Sequence, residues 1–251
     1  LVFRRVLSRS RDPHPDRGAH PMARGPDPTP CLESERAGDA DPAERALTGW
    51  RDSQRSPAGI PVCPARPIAG SSPRMSFSED LIARARRVRL FICDVDGVLT
   101  DATVIMGGGA ETKVFHIRDG LGLRLLQTEA SIRVGWVSAR PSEATIQRAQ
   151  DLKVDFLHQS SGPKVAAIEG WLQETRIDWS EVLYMGDDWV DLAALKRAGL
   201  AIAPADAIEE ARRIAHWVTH KPGGHGAVRE AVDLLLKAQG HWDRLVEKFA
   251  S

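Results

Sequence analysis

From residue 78 onward, apolar and polar positions alternate in blocks that change period. Ser78 to Val88 puts Leu81, Ile82 and Ala85 on one side of a short amphipathic helix. Leu90-Phe91-Ile92-Cys93 is an unbroken apolar run stopped by Asp94, the pattern of a strand buried on both faces. Val104-Ile105-Met106, the run Gly107-Gly108-Gly109 and Thr112 to Ile117 predict a β-hairpin. Asp119 suits the cap of a helix carrying Leu121, Leu123, Leu125 and Leu126. Further strands are predicted over Ile132–Val137, Val154–Leu157, Val182–Met185, Leu200–Ile202 and Trp217–Thr219. Helices are predicted between them over Ser142–Leu152, Val165–Glu174 and Asp188–Ala198, then over Ala227–Ala238 and His241–Phe249. Strands alternating with helices predict an α/β fold, a doubly wound parallel sheet with helices on both faces and a hairpin insertion after the first strand.

The first 74 residues break this pattern. They hold 12 of the 16 prolines, 12 arginines and no lysine, and no apolar period runs through them. Such a segment cannot bury enough apolar surface to offset its ordering entropy, so 1–74 is expected to be disordered. Met75 stands directly before the first periodic segment, which an over-extended gene start would also produce. The domain boundary is placed there, with 75–251 as one α/β domain.

Charge and cysteine content narrow the classes. Lys+Arg and Asp+Glu both total 34, and 75–251 carries 22 basic and 25 acidic side chains, so nothing points to a nucleic acid. No apolar run reaches the ~18 residues of a membrane span. Cys31, Cys63 and Cys93 form neither a disulfide framework nor a zinc-ligand pattern, which makes the cytoplasm the expected compartment.

Three predicted strands end in polar groups, Asp94, Ser138 and Asp187, and a parallel sheet would gather these ends in one crevice. Asp94-Val95-Asp96 and Asp187-Asp188 put several carboxylates there, and carboxylates in one cleft repel unless a cation compensates. Oxygen ligands favour a hard cation, Mg2+ before Zn2+. Lys164, at a predicted helix start, adds a fixed positive charge, and cations gathered with carboxylates suit a phosphoryl group. A carboxylate can attack phosphorus, and a second can protonate the leaving alcohol and then activate water. Ser138, Asp188 and Asp191 also suit helix caps.

Asp94-Val95-Asp96-Gly97-Val98-Leu99-Thr100, Ser138, Lys164 and Gly186-Asp187-Asp188 resemble the four ordered motifs of the haloacid dehalogenase superfamily. Within it, Ile117-Arg118-Asp119-Gly120-Leu121-Gly122 and Gly223-Gly224-His225-Gly226-Ala227-Val228-Arg229-Glu230 are most similar to the capless phosphatases of 3-deoxy-D-manno-octulosonate 8-phosphate. The resemblance implies Asp94 as nucleophile and Asp96 as general acid/base. It implies Mg2+ held by the Asp94 and Asp187 side chains and the Asp96 carbonyl, with Asp188 behind them. Ser138 and Lys164 would bind the phosphoryl group. Arg118, Arg140, Lys221 and His225 are the candidates for the rest of the substrate, a phosphorylated sugar acid of lipopolysaccharide precursor synthesis. Serine stands at 138 where the family more often has threonine, and His225 where it usually has arginine.

The intervals Thr100–Ser138 and Ser138–Lys164 are too short to hold a cap domain. A homo-oligomer, a tetramer by the resemblance, would then cover each site, with the hairpin as the assembly element. Two other readings share these motifs: a phosphatase for a nonulosonate (sialic-acid-type) 9-phosphate, and a non-catalytic partner of a sugar nucleotidyltransferase. The intact Asp94, Asp96, Lys164 and Asp187 set argues against the silent one.

Overall fold

The computed structural model describes residues 77–108 and 110–251, so the expectations for 1–74 lie outside the described residues. In chain order the strands are β1 (Leu90–Cys93), β2 (Ile105–Gly107), β3 (Ala110–Thr112), β4 (Arg133–Ser138), β5 (Phe156–Gln159), β6 (Val182–Met185), β7 (Leu200–Ala203) and β8 (Trp217–Val218). The helices are α1 (Glu79–Arg87), α2 (Ile117–Glu129), α3 (Glu143–Asp151), α4 (Lys164–Thr175), α5 (Leu192–Leu195), α6 (Glu209–Ile214), α7 (Ala227–Ala238) and α8 (Trp242–Ala250). Among the described residues no helix is long and apolar enough to cross a membrane.

Six strands form one sheet in the order β5-β4-β1-β6-β7-β8, and every pairing in it is parallel. Alternate side chains of β1 enter opposite layers. Phe91 and Cys93 pack with residues of α1, α2, α7 and α8, and Leu90 and Ile92 with residues of α4, α5 and α6. All four are fully buried, which explains why β1 reads as a continuous apolar run. Each large apolar side chain buried this way contributes about 1.5–3 kcal/mol.

The chain runs outward from β1 to β4 and β5, then crosses back to β6 and continues to β7 and β8. Strands leaving β1 in both directions open a crevice at its carboxyl end. Cys93 is level with Trp136 of β4 and Met185 of β6, so Asp94, Ser138 and Asp187 emerge at nearly the same height.

Several expectations shift. The second arm of the hairpin is Ala110–Thr112 rather than 112–117, because the glycine run allows an earlier return. Asp119 does not cap α2; that helix starts at Ile117, and Asp119 is buried in its first turn. Its carboxylate instead accepts the backbone N–H of Arg229 at 2.8 Å, capping α7 from a neighbouring helix. The predicted helix over 188–198 is a 3-10 turn, Trp189–Asp191, followed by the short α5. Helix α6, with Glu209 and Glu210 in its first turn and Arg212 and Arg213 in its last, was too short to register as a period.

Candidate active site

At the end of β1, Asp94 is almost fully buried and meets the ammonium of Lys164 at 2.8 Å. Lys164 is the first residue of α4, placed there by Pro163 at the N-cap. Its ammonium also meets Asp191 Oδ1 at 2.7 Å. Asp94, Asp187 and Asp191 each offer an oxygen within 4.8 Å of the others. Burial, then the charge of Asp191, pushes Asp94 up to about 7 against the pull of Lys164. Burial, Asp191 and Asp94 push Asp187 up to about 8. Burial alone would lower Lys164, but Asp94 and Asp191 outweigh it and hold it above its ordinary value. One ammonium among three carboxylates leaves an excess of negative charge, which a divalent cation would compensate.

A count of lone pairs separates the three carboxylates. Asp191 Oδ1 accepts from Lys164 Nζ at 2.7 Å and from the Tyr184 hydroxyl at 2.5 Å. Its Oδ2 accepts the backbone N–H groups of Asp187 at 3.0 Å and Asp188 at 3.2 Å. Four donors saturate a carboxylate. Asp187 Oδ1, by contrast, is buried with no hydrogen-bond partner. A cation therefore fits between Asp94 and Asp187, with Asp191 as the fixed anion that aims Lys164 and the Asp187 backbone. Sequence reasoning left Asp191 as a cap; its spacing from Gly186 was the available signal. Asp188 is exposed, and its side chain accepts Trp189 N–H at 2.6 Å, so it stands outside the buried cluster.

Asp96 lies apart from these carboxylates. Lys113, whose side chain is wholly buried, reaches its two oxygens at 2.7 and 3.0 Å. Lys113 also lies 3.5 Å from Glu111, Glu111 pairs with Arg140, and Arg140 stands 3.9 Å from Asp96. The four charges close an alternating ring that ties the hairpin to the loops after β1 and β4. Arg140 is thus already paired. The Ser138 hydroxyl donates to Arg140 O at 3.0 Å and accepts Arg140 N–H at 3.1 Å, closing a turn at the end of β4 rather than capping α3.

The remaining substrate candidates lie on the loop before α7 and in the first turn of α2. Gly224 N–H donates to Val98 O at 3.0 Å, and a side chain at Gly223 would strike Gly97 O, so the glycine run is a close backbone approach to the Asp94 loop. Lys221 and His225 on this loop are exposed, as is Arg118 at the start of α2. A Cβ at Gly226 would lie 3.3 Å from Lys221 Nζ and 3.6 Å from His116, placing Lys221 beside the first turn of α2.

The sheet order, the carboxylate cluster at its switch point and the lysine at a helix start define a phosphohydrolase of the haloacid dehalogenase class. Residues 128–230 match the family described as haloacid dehalogenase-like hydrolase. The 3-deoxy-D-manno-octulosonate 8-phosphate phosphatase of Escherichia coli K12 is 41% identical over 167 residues, 66% of this chain and 88% of that one. Its counterpart from Yersinia pestis is 40% identical over 163 residues, 64% of this chain and 87% of that one. The crystal structure of the Moraxella catarrhalis phosphatase in complex with magnesium, phosphate and KDO has a TM-score of 0.67 at 35% identity, covering 69% of this chain and 99% of that one. The chain belongs to the 3-deoxy-D-manno-octulosonate 8-phosphate phosphatase family.

Proposed function

We propose that this chain is a Mg2+-dependent phosphatase of a phosphorylated sugar acid, with 3-deoxy-D-manno-octulosonate 8-phosphate as its first substrate. The observation that carries the chemistry is the buried contact of Asp94 with Lys164 beside the unpartnered Asp187. Family membership carries the substrate.

The side chains of Asp94 and Asp187 and the carbonyl of Asp96 would hold Mg2+, which when bound supplies charge neutralisation to the phosphoryl oxygens. An oxygen of Asp94 attacks phosphorus as the ester P–O bond breaks, giving an aspartyl-phosphate and an alkoxide. Asp96 hands the alkoxide a proton, and the sugar leaves as the alcohol. Lys164 and Ser138 hold the phosphoryl oxygens through this step. Asp96, now a carboxylate, takes a proton from water as that water attacks phosphorus, which frees Asp94 and releases inorganic phosphate.

Association of copies belongs to the same proposal. The hairpin and the following segment expose Ile105, Met106, Val114 and Ile117, an apolar group that a neighbouring subunit would cover while closing the open site. Sedimentation should give an oligomer, a tetramer by family likeness.

The test is phosphate release from a panel of sugar phosphates, with the octulosonate 8-phosphate and a nonulosonate 9-phosphate as its two sugar-acid arms, with and without Mg2+. Acid-quenched enzyme should carry phosphate on Asp94, and Asp94→Asn should abolish turnover while retaining the native circular dichroism spectrum. Substantial activity in pure Asp94→Asn protein would sink the mechanism.

A further inference from the structure

The charged ring beside the site contains one group that the phosphatase chemistry above does not use. Lys113 follows β3, carries no exposed side-chain surface and grips both oxygens of Asp96. A buried ammonium is costly unless paired, so it dictates where the partner carboxylate sits. Nothing else among the described residues holds Asp96 this closely; Arg140 is 3.9 Å away and half-exposed.

A carboxyl group that delivers a proton cannot keep a full share of an ammonium, so the ammonium needs a second acceptor. Glu111 Oε1 is buried without a hydrogen bond of normal length, with Lys113 Nζ 3.5 Å away. Arg140 pairs with the other oxygen of Glu111, so this carboxylate sits between two cations and is able to take that share.

We propose that Lys113 is the positioning residue for Asp96 and that Glu111 is its alternate partner, so that the hairpin sets the efficiency of leaving-group protonation. The proposal rests on the phosphatase reading above. Atoms balance as in that scheme: Lys113 leans on Glu111 while Asp96 is protonated, the proton passes from Asp96 to the alkoxide as the P–O ester bond breaks, and the ammonium, keeping all its own protons, closes on the new Asp96 carboxylate.

The signature is a dependence on the leaving group. An alkoxide needs the proton, whereas p-nitrophenolate leaves without it, and kcat/KM reports only the steps through alcohol release. The experiment measures kcat/KM for 3-deoxy-D-manno-octulosonate 8-phosphate and for p-nitrophenyl phosphate in wild type, Asp96→Asn, Lys113→Met and Glu111→Gln. In Asp96→Asn the alkyl-to-aryl ratio should fall by about 100-fold or more. In Lys113→Met it should fall by about tenfold or more, and in Glu111→Gln in the same direction by less. Adding Lys113→Met to Asp96→Asn should leave the ratio where Asp96→Asn put it.

A ratio unchanged in Lys113→Met, or equal losses on both substrates, overturns the proposal. Should Lys113→Met fail to fold, Glu111→Gln carries the same test, and an unchanged ratio there overturns it. Wild type without activity on either substrate refutes the phosphatase reading itself.

Discussion

Gly97 and Asp187 stand so close that a Cβ built on the glycine would lie 2.0 Å from Asp187 Oδ2. Gly97 also has φ of +92°, where a side chain is strained by about 1–3 kcal/mol. The glycine is therefore the floor of the cation site. Gly97→Ala should displace the Asp187 carboxylate and weaken Mg2+ binding by about tenfold or more. Calorimetric titration with Mg2+ checks this, and wild-type affinity in a folded variant would contradict it.

Asp191 is saturated by four donors, so its removal should be felt as lost order rather than lost ligation. In Asp191→Asn the amide would present N–H groups to one pair of existing donors and leave Lys164 with Asp94 as its one anionic partner among these carboxylates. The expected cost is about 3 kcal/mol or more in chemical denaturation. Mg2+ affinity should fall less than in Asp187→Asn. Equal losses in the two variants would place Asp191 among the ligands.

Protons and the cation compete for the same oxygens. Asp94 at about 7 and Asp187 at about 8 lie far above the unfolded carboxylate value of about 3.9. Without metal the folded chain keeps protons that the unfolded chain has released. That contribution to stability is complete below about pH 4 and is lost as pH rises to about 8. Thermal midpoints in EDTA should decline across this window relative to midpoints in saturating Mg2+, and Mg2+ binding should tighten as pH rises. Parallel pH curves with and without Mg2+ would be the contrary result.

Arg140 is engaged by Glu111, whereas Arg118 and Lys221 are exposed. The substrate carboxylate should therefore depend on Arg118 and Lys221. A charge-assisted contact contributes about 1.5–3 kcal/mol, roughly 10- to 150-fold in kcat/KM. Arg118→Ala should reduce the preference for a sugar-acid phosphate over the matching neutral sugar phosphate by that order. An undiminished preference would exclude Arg118.

What the sequence revealed depended on how local the cause was. β1 and β6 match their predicted limits because four buried residues in a row are bounded by polar ones. Asp94, Lys164 and Asp187 converge because each ends a strand or begins a helix. Asp119 was misread because its partner, the Arg229 N–H, lies 110 positions further on. Lys113 gave no signal, since a lone lysine after a hairpin looks solvated and only the folded chain buries it against Asp96. The Asp191 spacing fits a cap and a site residue alike, and the structure uses it as both.

The hydrogen bond from Arg229 N–H to Asp119 fastens the start of α7 to the start of α2. Arg118 is the neighbour of that joint on one element, and Lys221 approaches it on the other. Arg118 and Lys221, the candidates for the substrate carboxylate, thus flank a fastening between two helices, whereas Asp94 and Ser138 stand at strand ends. Under the proposed function, substitutions around this fastening should change which sugar phosphate is preferred more than they change the hydrolysis of a small aryl phosphate, so that recognition and reaction would vary on separate clocks.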